Sequence, residues 1–195
     1  MALLTFKGGI HPDDGKSLAK EKAIVEVKPQ GDLVYLVSQH IGAPASPIVE
    51  VGERVLRGQK IAEAGGFVSA PIYASVSGTV KAIEPHMNPT GATVNSIVVE
   101  NDGEYEEVEY PAVKPLDEMS KEEILNAIGE AGVVGMGGAG FPTKVKLSPK
   151  EPEKIEYVIA NCAECEPYIT ADYRRMLENP EKLSLIHISE PTRPY

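Results

Sequence analysis

Cysteine is nearly absent: the 195 residues contain two, Cys162 and Cys165, three positions apart. That scarcity excludes a disulfide scaffold and suits a reducing compartment. It also leaves too few thiolates for an iron–sulfur cluster or a four-cysteine zinc site. Long apolar runs are missing too. No stretch approaches the roughly 20 residues of a membrane helix, and residues 1–9 have neither the basic flank nor the apolar core of a signal peptide. Positive charge is in deficit: 19 lysines and arginines against 29 aspartates and glutamates give a formal net charge of −10. This argues against a broad nucleic-acid or anionic-membrane surface, since both need basic patches. The expectation is a soluble cytoplasmic protein with no nucleic-acid partner and no membrane insertion of its own, on which any basic site is local.

Glycine and proline, by contrast, are plentiful and cut the chain into segments. Residues 1–22, with Gly8, Gly9, Pro12 and Gly15, read as an irregular arm. Residues 23–110 carry short β-prone runs: Ile24–Val27, Leu33–Val37, Ile48–Val51, Lys60–Ala62, Ser75–Ile83 and Ser96–Val99. Strands this short with turns this regular predict a compact all-β unit. Within it, residues 48–61 and 70–83 resemble the two halves of a biotinyl/lipoyl-type barrel-sandwich hybrid. Carriers of that kind present a lysine on the hairpin between the halves, but here the hairpin reads Glu63-Ala64-Gly65-Gly66-Phe67-Val68-Ser69. Without the lysine there is no swinging arm, and the module reads as a scaffold or docking surface. The acidic run from Glu100 to Glu109 reads as a solvated hairpin or edge. His11, His40 and His86 read as hydrogen-bonding residues rather than ligands.

After a linker at 111–118, marked by Pro111 and Pro115, the character changes. Ser120 and Glu123 form a capping-box pattern, Ile124, Leu125 and Ile128 recur at helical spacing, and Gly132 stops the predicted helix after about Ala131. Residues 155–160 read as a buried strand, with Asn161–Tyr168 leaving its C-terminal end, where α/β folds usually bind ligands. A second helix is predicted from a Thr170 cap, with Asp172 in its first turn, to about Asn179. The fold class is therefore α+β: an all-β barrel-sandwich hybrid followed by the start of an α/β domain.

The densest motif is Gly135-Met136-Gly137-Gly138-Ala139-Gly140-Phe141-Pro142-Thr143-Lys144-Val145-Lys146. Glycines at 135, 137, 138 and 140 allow close backbone approach and converging N–H groups, which suits an anion such as phosphate. Lys144 and Lys146 add positive charge, and Phe141 offers a flat face to a ring. Gly135-x-Gly137-x-x-Gly140 fits the dinucleotide fingerprint in spacing but not in context, since a helix and not a strand precedes it and Pro142 and Pro149 bracket the next segment. A tight turn packing a helix on a sheet explains the same spacing equally well. Cys162-x-x-Cys165 lacks the electropositive setting of a redox pair, because Glu164 lies between the thiols and Glu166 just beyond; it reads as two small pocket-lining residues. Glu164 and Glu166 are the better candidates, as acceptors for ribose hydroxyls or a carboxamide, with solvated surface acids as the alternative. No residue stands out as a catalytic acid, base or nucleophile, and none as a metal ligand.

Residues 135–146 together with 161–168 resemble the flavin- and NADH-binding domain of the NADH-oxidising subunit of respiratory complex I. Joined to a lysine-free barrel-sandwich module and to Thr5-Phe6-Lys7-Gly8-Gly9-Ile10-His11-Pro12, they resemble the C subunit of the Rnf-type ion-translocating electron transport complex, over about residues 3–182. The resemblance implies FMN and NAD(H) as cofactors. It implies that Gly135, Gly137, Gly138 and Gly140 shape the loop against them, that Lys146 approaches the flavin, and that Phe141 stacks on the nicotinamide side. Asn161 and Glu164 match flavin-contacting positions and Glu166 an NADH-contacting one. Ala163, Cys165 and Pro149 depart from the pattern of the complex I subunit, which implies a different nucleotide geometry.

The partners implied are the other subunits of a membrane electron transport complex and ferredoxin or an iron–sulfur subunit, with the protein peripheral on the cytoplasmic face. Residues 119–182 would be the N-terminal part of the flavin domain, two [4Fe–4S] clusters lying in chain beyond it. Residues 183–195 read as a non-native tail. A cobalamin reductase of a bacterial microcompartment shares this domain pairing, and a non-catalytic docking module is the reading of a different class.

Overall fold

In the computed structural model the residues described are 12–112, 114–136, 139–157, 164 and 166–181. The chain divides into two compact units, residues 28–152 and residues 1–27 with 153–195. Within the first, seven strands form: β1 (Leu33–Leu36), β2 (Ser46–Pro47), β3 (Arg54–Val55), β4 (Lys60–Glu63), β5 (Ile72–Tyr73), β6 (Gly78–Met87) and β7 (Thr93–Asn101). They make two antiparallel sheets, one in the order β1-β7-β6-β3 and one in the order β2-β4-β5. Each half of the internal repeat gives one strand to each sheet. β3 pairs with β6 (Val55 opposite Gly78), and β4 pairs with β5 (Ala62 opposite Ile72). The halves therefore interlock, and neither can bury its apolar face without the other. Val55, Ile61, Val76, Val80, Ile97 and Val99 are fully buried between the sheets, each stabilising the fold by about 1.5–3 kcal/mol relative to exposure.

Several expected strands are absent. Ile48–Val51 is not a strand: the β2–β4 ladder ends at Pro47, and Glu53 N–H closes a turn on the Glu50 carbonyl. Ile24–Val27 is exposed and unladdered, the Ile24 N–H being taken by the Glu178 carboxylate. Of the strand expected at 155–160, Ile155–Tyr157 is exposed and not a strand, and the remainder lies outside the described residues. The acidic run is latched as well as solvated. Arg54 bridges Asp102 at 2.9 Å and Glu106 at 2.8 Å, while the buried Ser77 hydroxyl donates to Asp102 at 2.7 Å.

Two helices complete this unit. α1 (Lys121–Glu130) has the capping box in full: Ser120 Oγ accepts the Glu123 N–H, and the Glu123 carboxylate accepts the Ser120 N–H. Gly132 follows at φ +66°. The far end of α1 is fastened to the barrel, where Lys60 Nζ lies 2.7 Å from the Glu130 carboxylate and the Tyr73 hydroxyl donates to the Glu130 carbonyl. α2 (Thr143–Lys146) is a single turn. In the second unit, α3 (Ala171–Glu178) forms where expected, but the Thr170 side chain does not cap it. The cap comes from Glu164, whose Oε1 accepts the Asp172 N–H at 2.6 Å.

Carboxylates held below their ordinary pKa, Glu123 and Asp102 among them, make the 28–152 unit acid-sensitive. Hydrogen bonds from Lys114 first, then from Ser120, lower Glu123 from 4.5 to about 2. The Ser77 hydroxyl first, then the Glu104 amide and Arg54, hold Asp102 below its ordinary 3.8. Folded pKa values below the unfolded ones mean that the stabilisation is complete above pH 4.5 and is lost as pH falls toward about 2. The urea midpoint is expected to fall across that window. Glu123→Gln should flatten part of the decline, and an unchanged slope in that variant would refute the assignment.

Candidate functional site

The glycine loop is a closed hairpin. Val134 bridges Pro142, Gly135 N–H donates to the Phe141 carbonyl at 2.9 Å, and Thr143 N–H donates to the Val133 carbonyl at 2.9 Å. The base of the loop is thereby pinned between α1 and α2, and Lys146 ends α2. The glycines differ in purpose. Gly140 is buried at φ +62°, and a Cβ there would lie 2.7 Å from the Gln39 carbonyl and 2.9 Å from His40 Cα. This glycine seats the loop on the barrel, and the Ile41 N–H, donating to the Ala139 carbonyl at 3.0 Å, completes the seat. Gly135 is exposed, and a built Cβ there would make only ordinary van der Waals contact, 3.8 Å from the Phe141 N and O, with no clash. Gly137 and Gly138 lie outside the described residues.

His40 is buried under this seat. Its Nε2 lies 3.1 Å from the Ala70 N and 3.2 Å from the Ala70 carbonyl, and its Nδ1 3.1 Å from the Ile41 carbonyl. The lysines divide their work too. Lys144 Nζ donates to Asn126 on α1 at 2.9 Å and its stem lies against Gly129, whereas the Lys146 N–H donates to the Pro142 carbonyl at 3.1 Å and its side chain has no hydrogen bond or ion pair among the described residues. Phe141 is 40% exposed. Beside α1 and α2, a cleft of about 350 Å³ reaches to the lysine-free hairpin of the barrel, where Phe67 is well exposed.

In the unit formed by 1–27 and 153–195, Glu164 has its Oε1 on the N-terminus of α3 and its Oε2 buried without a hydrogen-bond partner among the described residues. Glu166 is exposed, on the turn that leads to α3. Asn161, Cys162 and Cys165 lie outside the described residues. One contribution was not legible in the sequence, that of the arm: Lys16 Nζ donates to the carbonyls of Glu166 (3.1 Å) and Ile169 (2.8 Å). Its one local signal was the run Asp13-Asp14-Gly15-Lys16, a turn-forming string.

Residues 4–104 match the family model of the RnfC barrel sandwich hybrid domain. The chain belongs to the RnfC family. Residues 128–186 match the Nuo51 FMN-binding domain, so the glycine loop, α2, Glu164 and Glu166 fall within one matched stretch. Among curated relatives, the C subunit of the proton-translocating ferredoxin:NAD(+) oxidoreductase complex of Clostridium ljungdahlii is 50% identical over 183 residues, which are 93% of this chain and 40% of that protein. The C subunit of the Na(+)-translocating ferredoxin:NAD(+) oxidoreductase complex of Acetobacterium woodii is 43% identical over 182 residues, 92% of this chain and 41% of that protein. The C subunit of the ion-translocating oxidoreductase complex of Haemophilus influenzae is 34% identical over 183 residues, 93% of this chain and 28% of that protein. The chain thus spans about 40% of the length of the first of these RnfC relatives.

Among the described residues, no helix is long and apolar enough to cross a membrane, and no three His, Cys, Asp or Glu side chains group to hold a metal ion.

Proposed function

We propose that this RnfC chain is part of an oxidoreductase subunit that moves electrons between NAD(H) and iron–sulfur carriers through FMN. The subunit is peripheral to a membrane complex coupling ferredoxin and NAD to ion transport, and partner subunits hold it there. The observation that carries this reading is the donor set within residues 128–186, the stretch matched to the FMN-binding domain. Among the described residues, the 28–152 unit contributes a lysine side chain without a hydrogen bond or ion pair (Lys146), a partly exposed aromatic (Phe141) and an exposed glycine (Gly135), and the other unit, taken by itself, holds the buried acceptor Glu164 Oε2, which has no hydrogen-bond partner there. These residues fit a flavin in kind: a cation for its negative charge, a flat face for a ring, and an acceptor for an N–H or O–H.

FMN, when bound, supplies the exchange between a hydride donor and one-electron acceptors. The chain's own residues bind and orient. Lys146 and the backbone around Gly135, with Gly137, Gly138 and Asn161, hold the flavin. Phe141 covers the nicotinamide side and excludes water, and Glu166 accepts hydrogen bonds from the nucleotide. Gly140 shapes the loop against the flavin by seating it on the barrel. The two [4Fe–4S] clusters of this reading need more cysteines than the two among these 195 residues, so their ligands lie in the full-length subunit outside this stretch.

The test is the full-length gene product with reconstituted clusters. It is expected to show flavin absorbance and NADH-dependent dye reduction, and Lys146→Ala should weaken FMN binding about tenfold or more, the worth of one hydrogen bond to a charged group. A wild-type protein with neither flavin nor dye reduction would leave a non-catalytic docking module.

A further inference from the structure

The flavin reading leaves the Asp13-Asp14-Gly15-Lys16 stretch unused, yet it forms a built seat for the turn that carries Glu166. Asp13 Oδ1 accepts the Gly15 N–H at 2.8 Å and Asp14 Oδ1 accepts the Lys16 N–H at 3.1 Å, two successive side-chain-closed turns. Gly15 sits at φ +58°, and a Cβ there would fall 2.3 Å from ring atoms of Tyr168. Only glycine lets that ring rest on the arm. The Tyr168 N–H donates to the Asp14 carbonyl. Lys16 Nζ then takes the carbonyls on either side, those of Glu166 and Ile169. Three consecutive residues of the arm therefore grip one turn about 150 positions away in sequence through backbone groups, a ring face and an ammonium.

That turn is under strain. Tyr168 has φ +68°, a conformation that non-glycine residues hold only when their surroundings impose it. Pro167 confines Glu166 to extended backbone from one side, and Lys16 fixes its carbonyl from the other. The arm is held in turn along α3, where Arg174 donates to the Lys20 carbonyl at 3.1 Å and Glu178 accepts the Ile24 N–H at 3.0 Å. A lysine has three donors and no rigid plane, so it can serve two carbonyls that diverge.

We propose that Lys16 is a positioning residue for the dinucleotide: by gripping the backbone on both sides of Tyr168 it sets where Glu166 is presented to NAD(H). This rests on Glu166 being a nucleotide contact. Lys16 acts through Glu166 and touches neither substrate nor flavin. It makes the N-terminal arm, far from the glycine loop in sequence, a determinant of nucleotide affinity.

The experiment uses the full-length, cluster-loaded protein as wild type, Lys16→Met, Lys16→Arg, Glu166→Gln and the Lys16→Met/Glu166→Gln double variant. The readouts are NADH KM and kcat in dye reduction, flavin content from the visible spectrum, and amide exchange over 166–172. Lys16→Met is expected to raise KM roughly tenfold, the worth of hydrogen bonds from a charged donor, with kcat and flavin content within about twofold of wild type. Lys16→Arg restores most of the affinity. On the Glu166→Gln background the Lys16→Met effect shrinks to less than about twofold, as expected for residues acting in series.

If Lys16→Met speeds amide exchange at Tyr168 but leaves KM unchanged, the grip is structural only and the proposal is overturned; full additivity with Glu166→Gln overturns it as well. A wild type without NADH-dependent reduction overturns the flavin reading instead, and does so before any variant is compared. Should Lys16→Met fail to fold, Lys16→Gln keeps the side-chain length close and carries the same comparison.

Discussion

Replacing Ile97 with alanine is expected to destabilise the barrel-sandwich by about 3 kcal/mol, within the range of roughly 2–5 kcal/mol for emptying a buried isoleucine site. Ile97 is fully buried and lies opposite Tyr35 of β1 on one side and Ile83 of β6 on the other. It therefore sits on an interior strand, where no edge can collapse to fill the void. Both sheets contribute to the shell around it, since Ile61 and Ile72 come from β4 and β5 and Val80 and Val99 from the other sheet. A cavity there loosens the contact between sheets as well as one strand. The matching control is Val51→Ala in the same unit, where the side chain is 62% exposed and the cost should stay within about 0.5 kcal/mol. Urea melts at neutral pH measure both. For typical urea m-values of about 1–3 kcal/mol/M the Ile97 variant should lose roughly 1–3 M in midpoint; equal midpoints for the two variants would mean that the interlocked sheets are not the source of stability.

Gly140→Ala is expected to cost about 2–4 kcal/mol, and Gly135→Ala almost nothing, although the two glycines belong to one motif. At Gly140 the left-handed backbone alone costs an alanine about 1–2 kcal/mol. The added methyl must also push against the Gln39 carbonyl and His40 Cα, which are backbone and cannot swing aside. Relief requires the loop to lift, breaking the Ile41 N–H hydrogen bond to the Ala139 carbonyl and uncovering the buried His40 ring. Loss of amide protection at Ile41 together with a lowered melting temperature is the signature. Gly135 has no such neighbour, and its φ is not positive. With the Gly135 backbone set against the flavin as proposed, the ranking reverses for ligand: Gly135→Ala should keep its melting temperature and lose FMN affinity. A Gly135→Ala variant as unstable as Gly140→Ala would refute the distinction.

These two glycines show where the sequence is legible and where it is not. The motif announces itself as a string, but the division of labour within it depends on what lies beyond each Cβ. For Gly140 that neighbour is the backbone of Gln39 and His40, far upstream in the chain. Glu164 behaves likewise. As a carboxylate after a predicted strand it reads as a ligand group, yet one oxygen caps α3 in place of Thr170 and only the other remains for a ligand. The β-branched run Ile24–Val27 has strand propensity, but its first N–H goes to Glu178 and no ladder forms. Propensity supplies a strand's backbone shape; a neighbouring strand must supply its hydrogen bonds.

Local chemistry was sufficient wherever donor and acceptor lie within one turn of each other. The Ser120–Glu123 capping box and the stop at Gly132 are of this kind; the strands Leu33–Leu36 and Lys60–Glu63 were legible from their apolar runs, though their hydrogen bonds come from distant strands. Those features, with the lysine-free hairpin and the positions of the glycine string and of Glu164 and Glu166, could be read from the sequence. Only the tertiary structure decided that Gly140 is a seat, that Arg54 latches the acidic loop, and that Asp14, Gly15 and Lys16 grip the turn at Tyr168. Each of those contacts joins residues from about 50 to 150 positions apart. No window of sequence contains both partners, and closing such loops is favourable only once the rest of the fold has brought the ends together.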